Sequence, residues 1–383
     1  MSTGMPAIKS RRLPNWLAGV MLGSALHLLP HTSAAAGALA IRLDAVPRGG
    51  TITAMLFDSP EGFEDFRAPV RTERIAADGR SELQLTGIPP GQYALVVFHD
   101  ENGNERLDSN FIGIPKEPIG FSNAYRPKGP PSFARAAFQL EGEDATAIDV
   151  RLARPLGERG RFSVGAGVIA RSSPYARSTG NPVLFIPAIT YIGNRLQIFG
   201  PYAQLGLTGS GDVRLAASLA YRQAVYEADD SPVLDGMDDR EATAMAGLQV
   251  QAETPGGFDF SAGYAHDVLD RIGGGEAKLE VARPIPWRAT RFTPSLSVHW
   301  TDAALVRHDY GVASDEATAT RPSYRPDDAF SIETGIGISG ELTPSLFMIV
   351  NASVEWFDSE VRNSPIVDEK HVLKGFAAIS YLL

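Results

Sequence analysis

The sequence predicts an all-β chain in two parts, an N-terminal β-sandwich followed by a C-terminal antiparallel transmembrane β-barrel of about 12 strands. Three observations predict it. Apolar and polar side chains alternate, segment after segment, from residue 161 to the end. The chain opens on a positively flanked apolar leader. No other stretch holds the ~18 consecutive apolar residues that a membrane helix needs, so a membrane crossing must use strands.

The alternation is the primary signal. Val213, Leu215, Ala217, Leu219 and Tyr221 interleave with Arg214, Ala216, Ser218, Ala220 and Arg222. Met348, Val350, Ala352, Val354 and Trp356 interleave with Asn351, Ser353 and Glu355, and Leu296, Val298 and Trp300 with Ser295, Ser297 and His299. Successive side chains of an extended strand point to opposite faces, so one face of each segment suits lipid and the other a polar lumen. Arg214, Arg222, Asn351 and Glu355 are therefore the candidate lumen residues. Inward charges either pair and fill a narrow interior or line a channel, and the width of a 12-strand barrel favours a filled lumen.

Residues 1–36 read as a secretory signal peptide. Lys9, Arg11 and Arg12 form the basic region, residues 16–29 the apolar one, and either Ala34-Ala35-Ala36 or Ala36-Gly37-Ala38 the small-residue cleavage site. Loss of those three cations takes the net charge from −10 to −13. Such a balance excludes the basic footprint of a nucleic-acid binder. With no cysteine, the chain has no disulfide framework, thiolate metal site or Cys nucleophile.

Residues 37–153 predict the sandwich. Seven short strands (38–44, 51–58, 68–75, 81–85, 92–98, 133–140 and 145–152) are separated by turn signals such as Asp78-Gly79 and Pro89-Pro90-Gly91. Tyr93, Leu95 and Val97 alternate with Ala94, Val96 and Phe98, all of them apolar, as in a central strand buried on both faces. Residues 154–160 are a charged linker. From 161 to 383, 12 strands are expected to begin near Arg161, Pro182, Asn194, Asp212, Glu241, Gly257, Glu276, Thr290, Val306, Ala329, Pro344 and His371. Long polar gaps at 227–240, 314–327 and 358–370 face outward, and short turns face the periplasm, where the sandwich is expected. Tyr175, Tyr191, Trp287, Trp300, Tyr310 and Trp356 near strand ends suggest an aromatic girdle.

Two segments resemble known families. Gly91-Gln92-Tyr93-Ala94-Leu95-Val96-Val97-Phe98-His99-Asp100-Glu101-Asn102-Gly103-Asn104, continuing into Leu107-Asp108-Ser109-Asn110-Phe111-Ile112-Gly113-Ile114-Pro115-Lys116-Glu117 and Gly120-Phe121-Ser122-Asn123, resembles the DUF2141 family. That resemblance implies a transthyretin-like or Ig-like β-sandwich. The family usually carries a second Gly after Asn104, where this chain has Glu105. Gly236-Met237-Asp238-Asp239-Arg240, Tyr264-Ala265-His266-Asp267-Val268-Leu269, Tyr310-Gly311-Val312, Tyr324-Arg325-Pro326 and Ser364-Pro365-Ile366-Val367 resemble the MipA/OmpV family of outer-membrane proteins. This second resemblance implies an outer-membrane barrel, and for some members a scaffolding role beside a lytic transglycosylase of the cell wall. Outer-membrane barrels usually close on a terminal aromatic, whereas this sequence reads Tyr381-Leu382-Leu383.

Asp100, Asn102, Asn104 and Asp108 place oxygen side chains at the alternate positions that wrap Ca²⁺ in an EF-hand loop. Glu105 stands where that loop needs Gly, and Phe111 where it needs its bidentate Glu. The competing reading is a turn whose side chains bond their own backbone. No other cofactor is implied. His99-Asp100, His266-Asp267 and His308-Asp309 are adjacent in expected strands, so the partners point apart. There is no Gly-x-Ser-x-Gly elbow on a strand-to-helix turn. The expected function is non-enzymatic: a barrel set in outer-membrane lipid whose periplasmic domain binds a partner such as a lytic transglycosylase or another peptidoglycan enzyme. A small-solute channel and a lipid-modifying enzyme of the barrel rim are the alternatives.

Overall fold

The computed structural model describes residues 37–44, 47–110, 113–142, 145–178, 183–209, 213–254, 256–287 and 290–383. The expected signal peptide with its Ala34-Ala35-Ala36 cleavage site, Phe111, Pro182 and the Ser210-Gly211-Asp212 turn lie outside the described residues.

The N-terminal part holds eight strands, β1 (Gly37–Leu43), β2 (Arg48–Phe57), β3 (Arg71–Asp78), β4 (Glu82–Ile88), β5 (Gly91–Asp100), β6 (Ile119–Phe121), β7 (Phe138–Leu140) and β8 (Ala145–Val150), with short helices α1 (Pro60–Glu64) and α2 (Phe133–Ala136). One sheet runs β4-β1-β8 and the other β3-β2-β5-β6, with β7 also on β5. Period-2 alternation turns Leu39, Ile41, Ile52, Leu56, Leu85, Leu95 and Val97 into the core between the sheets. The opposite side chains of β5, Ala94, Val96 and Phe98, enter a second core with Phe57, Phe63, Phe121 and Phe133. Strand β5 is thus buried on both faces, as its continuous apolar run requires. Helices α1 and α2 supply Phe63 and Phe133 to that second core, where the rings meet edge to face at 5.9 Å. The strand expected from Phe133 begins as helix α2, because Ala136 and Phe133 must turn onto the same core.

The C-terminal part is a closed antiparallel barrel. Its strands are β9 (Arg161–Arg171), β10 (Val183–Ile192), β11 (Leu196–Phe199), β12 (Tyr202–Thr208), β13 (Val213–Arg222), β14 (Thr243–Glu253), β15 (Asp259–Asp267), β16 (Gly275–Ala282), β17 (Ile285–Trp287), β18 (Thr290–Thr301), β19 (Ala329–Thr343), β20 (Leu346–Phe357) and β21 (His371–Leu382). Neighbours in sequence pair in order, and β21 returns to pair with β9 from Lys374↔Arg171 to Leu382↔Ser163. The short β17 continues β16 in the same register against β18 after a break at Arg283-Pro284, where the proline lacks an N–H. Counting β16 and β17 as one staves the ring with 12 strands.

The number agrees with expectation, but two elements differ. The strand expected near Val306 is helix α3 (Ala303–Tyr310), capped by Asp302, whose carboxylate accepts from the Ala304 N–H. The single strand expected from Asn194 is the β11–β12 hairpin, turned by Gly200 at φ +50° and Pro201.

The outward set of side chains is apolar and uncovered. Phe185 is 85% exposed and Trp287 64%, with Leu219, Leu248, Leu279, Leu296 and Trp356 also exposed. A band of this extent marks a surface made for another apolar phase. Tyr175 and Tyr310 do not join it. They are 4% and 7% exposed, because the chain has left the wall at those points and turns its rings inward.

One carboxyl in the sandwich carries a pH signature. Glu64 is buried on α1, and its Oε1 accepts from the Phe133 N–H at 3.4 Å. Burial pushes its pKa up from 4.5 to about 7 against the opposing pull of Arg291. The folded state then holds a proton that the unfolded chain releases. Stability conferred by Glu64 should be complete below pH 4.5 and fall as pH rises toward about 7. Thermal unfolding followed across that window should show the decline, and Glu64→Gln should flatten it.

Candidate functional site

The lumen is built by the alternate side chains of the wall. Small residues occupy much of it: Gly165 and Gly167 on β9, Ala216 and Ser218 on β13, Gly263 and Ala265 on β15. They leave a cavity of about 1210 Å³, larger than the ~300–1,000 Å³ of ordinary ligand pockets. The lumen is not filled, contrary to the expectation from strand number, because many of the inward charges pair along the wall and small residues stand opposite them.

Charges gather on one side. Lys374 Nζ bridges Glu333 Oε2 at 2.8 Å and Glu355 Oε2 at 2.7 Å. Ser331 Oγ donates to Glu355 Oε1 at 2.6 Å, and His299 Nε2 lies 3.4 Å from Glu333. Lys278 pairs with Glu280 at 2.7 Å, and Ser297 Oγ donates to the same carboxylate. Of the residues singled out from sequence, Arg222 and Glu355 line this cavity. Asn351 lies beside it with Arg171 and Lys374 around a smaller recess. Arg214 sits deeper toward the short turns, paired with Glu253 at 2.5 Å. The structure brings Glu355 into a network and leaves the other three apart. The alternation sets His299 on the polar face of its strand, while Lys374, Glu333 and Arg171 were not singled out, although a two-residue step from Glu355 along its strand marks the inward face that pairs with theirs.

The long-loop end is closed in part by a core of its own. Tyr175, Tyr226, Leu234, Met237, Val306, Tyr310, Ile366 and Val372 pack together there. Arg222 ties this lid to the wall, with Nη2 at 2.5 Å from Asp309 Oδ2 on α3. His308 Nδ1 lies 2.9 Å from the other Asp309 oxygen. The two residues were expected to point apart, but that argument holds for a strand and this segment is a helix. Burial opposes the charge on Asp309, yet Arg222 and His308 hold its carboxyl below the ordinary range. The Glu316 carboxylate makes a second clasp, accepting from Arg240 at 3.2 Å and from the Ala313 N–H at 2.9 Å. Exposed Gln223, Glu227 and Asp230 also line the cavity, so it reaches the surface between the long loops.

The sandwich occupies the short-turn end. Arg135 Nη1 reaches Glu341 Oε2 at 2.6 Å, and Glu341 Oε1 accepts from the N–H groups of Lys128 and Gly129. Arg291 Nη2 donates to Asp65 Oδ1 at 3.1 Å, and Arg67 Nη1 to the Thr254 carbonyl at 2.8 Å. Asn110 Nδ2 donates to the Gly193 carbonyl at 3.2 Å. These contacts fall on the β10–β11, β14–β15, β17–β18 and β19–β20 ends of the rim. A Cβ added to Gly113 would lie 3.3 Å from Arg214 Nη1, so the backbone at Gly113 approaches the Arg214–Glu253 pair.

The residues expected to take Ca²⁺ are engaged with one another. Asp100 Oδ1 accepts from the N–H groups of Gly103 at 2.8 Å and Asn104 at 3.2 Å, and Oδ2 from Glu105 at 2.7 Å. The amides of Asn102 and Asn104 donate to the two oxygens of Asp108. Among the described residues there is no group of three or more His, Cys, Asp or Glu placed to hold a metal. Glu105 has φ +61°, which gives the physical reason for glycine at that position in similar sequences. His99 turns away from Asp100, its Nε2 2.6 Å from the Gly49 carbonyl. His266 stands outward beside Tyr264, while Asp267 faces in and accepts from Thr243 Oγ1.

Comparison with known proteins joins this geometry. The profile of the family described as MltA-interacting protein MipA matches residues 164–383. The chain belongs to that family. Residues 44–148 match the family described as an uncharacterized protein conserved in bacteria, DUF2141. Outer membrane protein Omp26La of Vibrio anguillarum is 26% identical over 180 residues, 47% of this chain and 69% of that protein. Outer membrane protein OmpV of Vibrio cholerae is 24% identical over the same shares. Among solved structures, OmpT of Vibrio cholerae is similar at 11% identity over 91% of this chain and 96% of its own, with a TM-score of 0.27. That likeness is too distant to argue from, and the fold rests on the strand pairing itself. This chain is an outer-membrane β-barrel protein.

Two outcomes follow for the 100–108 turn. Asp100→Ala strands three backbone donors and should lower stability by about 3 kcal/mol, while calcium titration of the unaltered chain should show no saturable heat that depends on Asp100. Glu105→Gly relieves a left-handed backbone and should raise stability by about 0.5–1 kcal/mol, read from the thermal midpoint.

Proposed function

We propose that this protein is a non-enzymatic, gated outer-membrane compartment: a polar lumen open between the long loops, with the N-terminal sandwich as its periplasmic gate. The hollow lumen carries this reading. An anchor needs no space of 1210 Å³ lined by a charge network. Short turns face the periplasm in such barrels, which supports a sandwich on that side and an apolar band against outer-membrane lipid. Glu341 is the pivot of the gate. Its side chain is 4% exposed and has Arg135 and two backbone N–H groups as partners.

A second reading has support of its own. The family description names an interaction with MltA, and the rim contacts hold the sandwich as a fixed platform. In that reading its far surface binds a lytic transglycosylase or another peptidoglycan enzyme. Cross-linking in intact envelopes, followed by identification of what co-purifies, tests it.

Conductance tests the first reading. Removing one partner of a buried ion pair costs about 3 kcal/mol, enough to shift a docked–undocked equilibrium about 100-fold. The unaltered chain should pass little steady current in planar bilayers, and the Arg135→Glu, Arg291→Glu double variant should pass a clear one. Equal silence from a folded double variant, judged by heat-modifiable gel mobility, would remove the gate from the account.

A further inference from the structure

The wall is incomplete beside β10. Strand β11 pairs with β10 only at Thr190, Tyr191 and Ile192, with one further bond from the Gly200 N–H to the Ile189 carbonyl. Among the described residues, the backbone of Val183–Ala188 pairs with β9 alone. The hairpin turns too soon, and a notch opens above Gly200-Pro201. Pro187 lies in the middle of this free edge. A proline is tolerated in a strand only where its missing N–H faces no ladder.

The notch connects the lumen with the outside of the wall. One continuous cavity is lined by Ile169, Leu184, Pro201, Tyr221 and Leu248, and by Arg171. Tyr221 and Leu248 belong to the outward, lipid-facing set. Leu184 pairs with Ile169 across β9–β10, so an apolar strip leads inward from the notch. It ends two residues on, at Arg171. Among the described residues its buried Nε has no hydrogen-bond partner, and the Glu355 and Asp309 carboxylates act on the guanidinium without an ion pair at contact distance. The neighbouring Tyr310 lines the same space. A half-buried guanidinium whose Nε is left open calls for an anion, and its planar fork suits a carboxylate. Lys374, next to it across β9–β21, is already committed to Glu333 and Glu355.

We infer that this notch is a lateral site for a single-chain carboxylic amphiphile of the fatty-acid type. The carboxylate pairs with Arg171, the chain lies along Ile169 and Leu184, and its end reaches the membrane past Pro201 and Tyr221. The inference rests on the reading of the lumen as a ligand-holding space, and names what enters it from the side. Backbone groups left open toward hydrocarbon need a polar companion, and the water and headgroup drawn in with such a ligand provide one.

The test uses the full chain in lipid nanodiscs with a photoreactive twelve-carbon fatty acid, the cross-linked peptides being located by mass spectrometry. Labels should concentrate on the segments around Ile169, Leu184 and Tyr221. Dodecanoate should compete, while dodecanol and dodecyl phosphate should compete about tenfold less or worse. Arg171→Gln and Leu184→Trp should each reduce the label about tenfold or more, with heat-modifiable mobility kept. Label spread evenly over the outward face, equal competition by dodecanol or dodecyl phosphate, or full labelling of Arg171→Gln would overturn the inference. Localised label in a chain whose double gate variant stays silent supports the lateral site and fails only the gate. Conductance in that variant without localised label fails only the lateral site.

Discussion

In hydrocarbon there is no water to satisfy a peptide group, so a β-sheet can cross only if it has no edge. The pairing of β21 with β9 meets that demand everywhere except along Val183–Ala188 of β10, and most of the molecule follows from it. Closure sorts each strand into an outward apolar set and an inward set that must share a confined polar space. It brings Lys374 of the last strand beside Arg171 of the first, and so places the bridging lysine of the lumen network next to a guanidinium whose Nε has no partner among the described residues.

The two ends of the cylinder are treated differently. At the long-loop end the chain builds a small hydrophobic core of its own, pinned by Arg222–Asp309 and Arg240–Glu316. At the short-turn end it borrows a separate sandwich, held by side chains that reach from helices α1 and α2 to turns of the rim. Buried pairs with several hydrogen bonds each define a single seating, because a misplaced carboxylate such as Glu341 would be left without its donors.

Much of this was legible in the sequence because a strand announces itself by a period of two. The outward and inward sets of β13, β18 and β20 are those the alternation separates, and the doubly apolar run of β5 marks the central strand of the sandwich. What escaped was set by tertiary packing. Val306 sits in a segment as apolar as a strand, yet Asp302 caps it into a helix whose inner face the lid core needs. Tyr175 and Tyr310 look like interfacial aromatics, but they lie past the last wall pair and fold inward. The space in the lumen escaped too, since small residues on β9, β13 and β15 carry no sequence signal of emptiness. The docking contacts escaped altogether: Arg135, Glu341 and Arg291 are ordinary surface charges until two parts of the chain meet.

Pro187 has a further consequence. A free strand edge is a template on which a second copy of the same edge can pair, and such pairing can run on from copy to copy. A residue with no N–H in the middle of Val183–Ala188 interrupts the template where it is otherwise flat and apolar. The proline that allows the wall to stand open also keeps neighbouring barrels from zipping together through the gap.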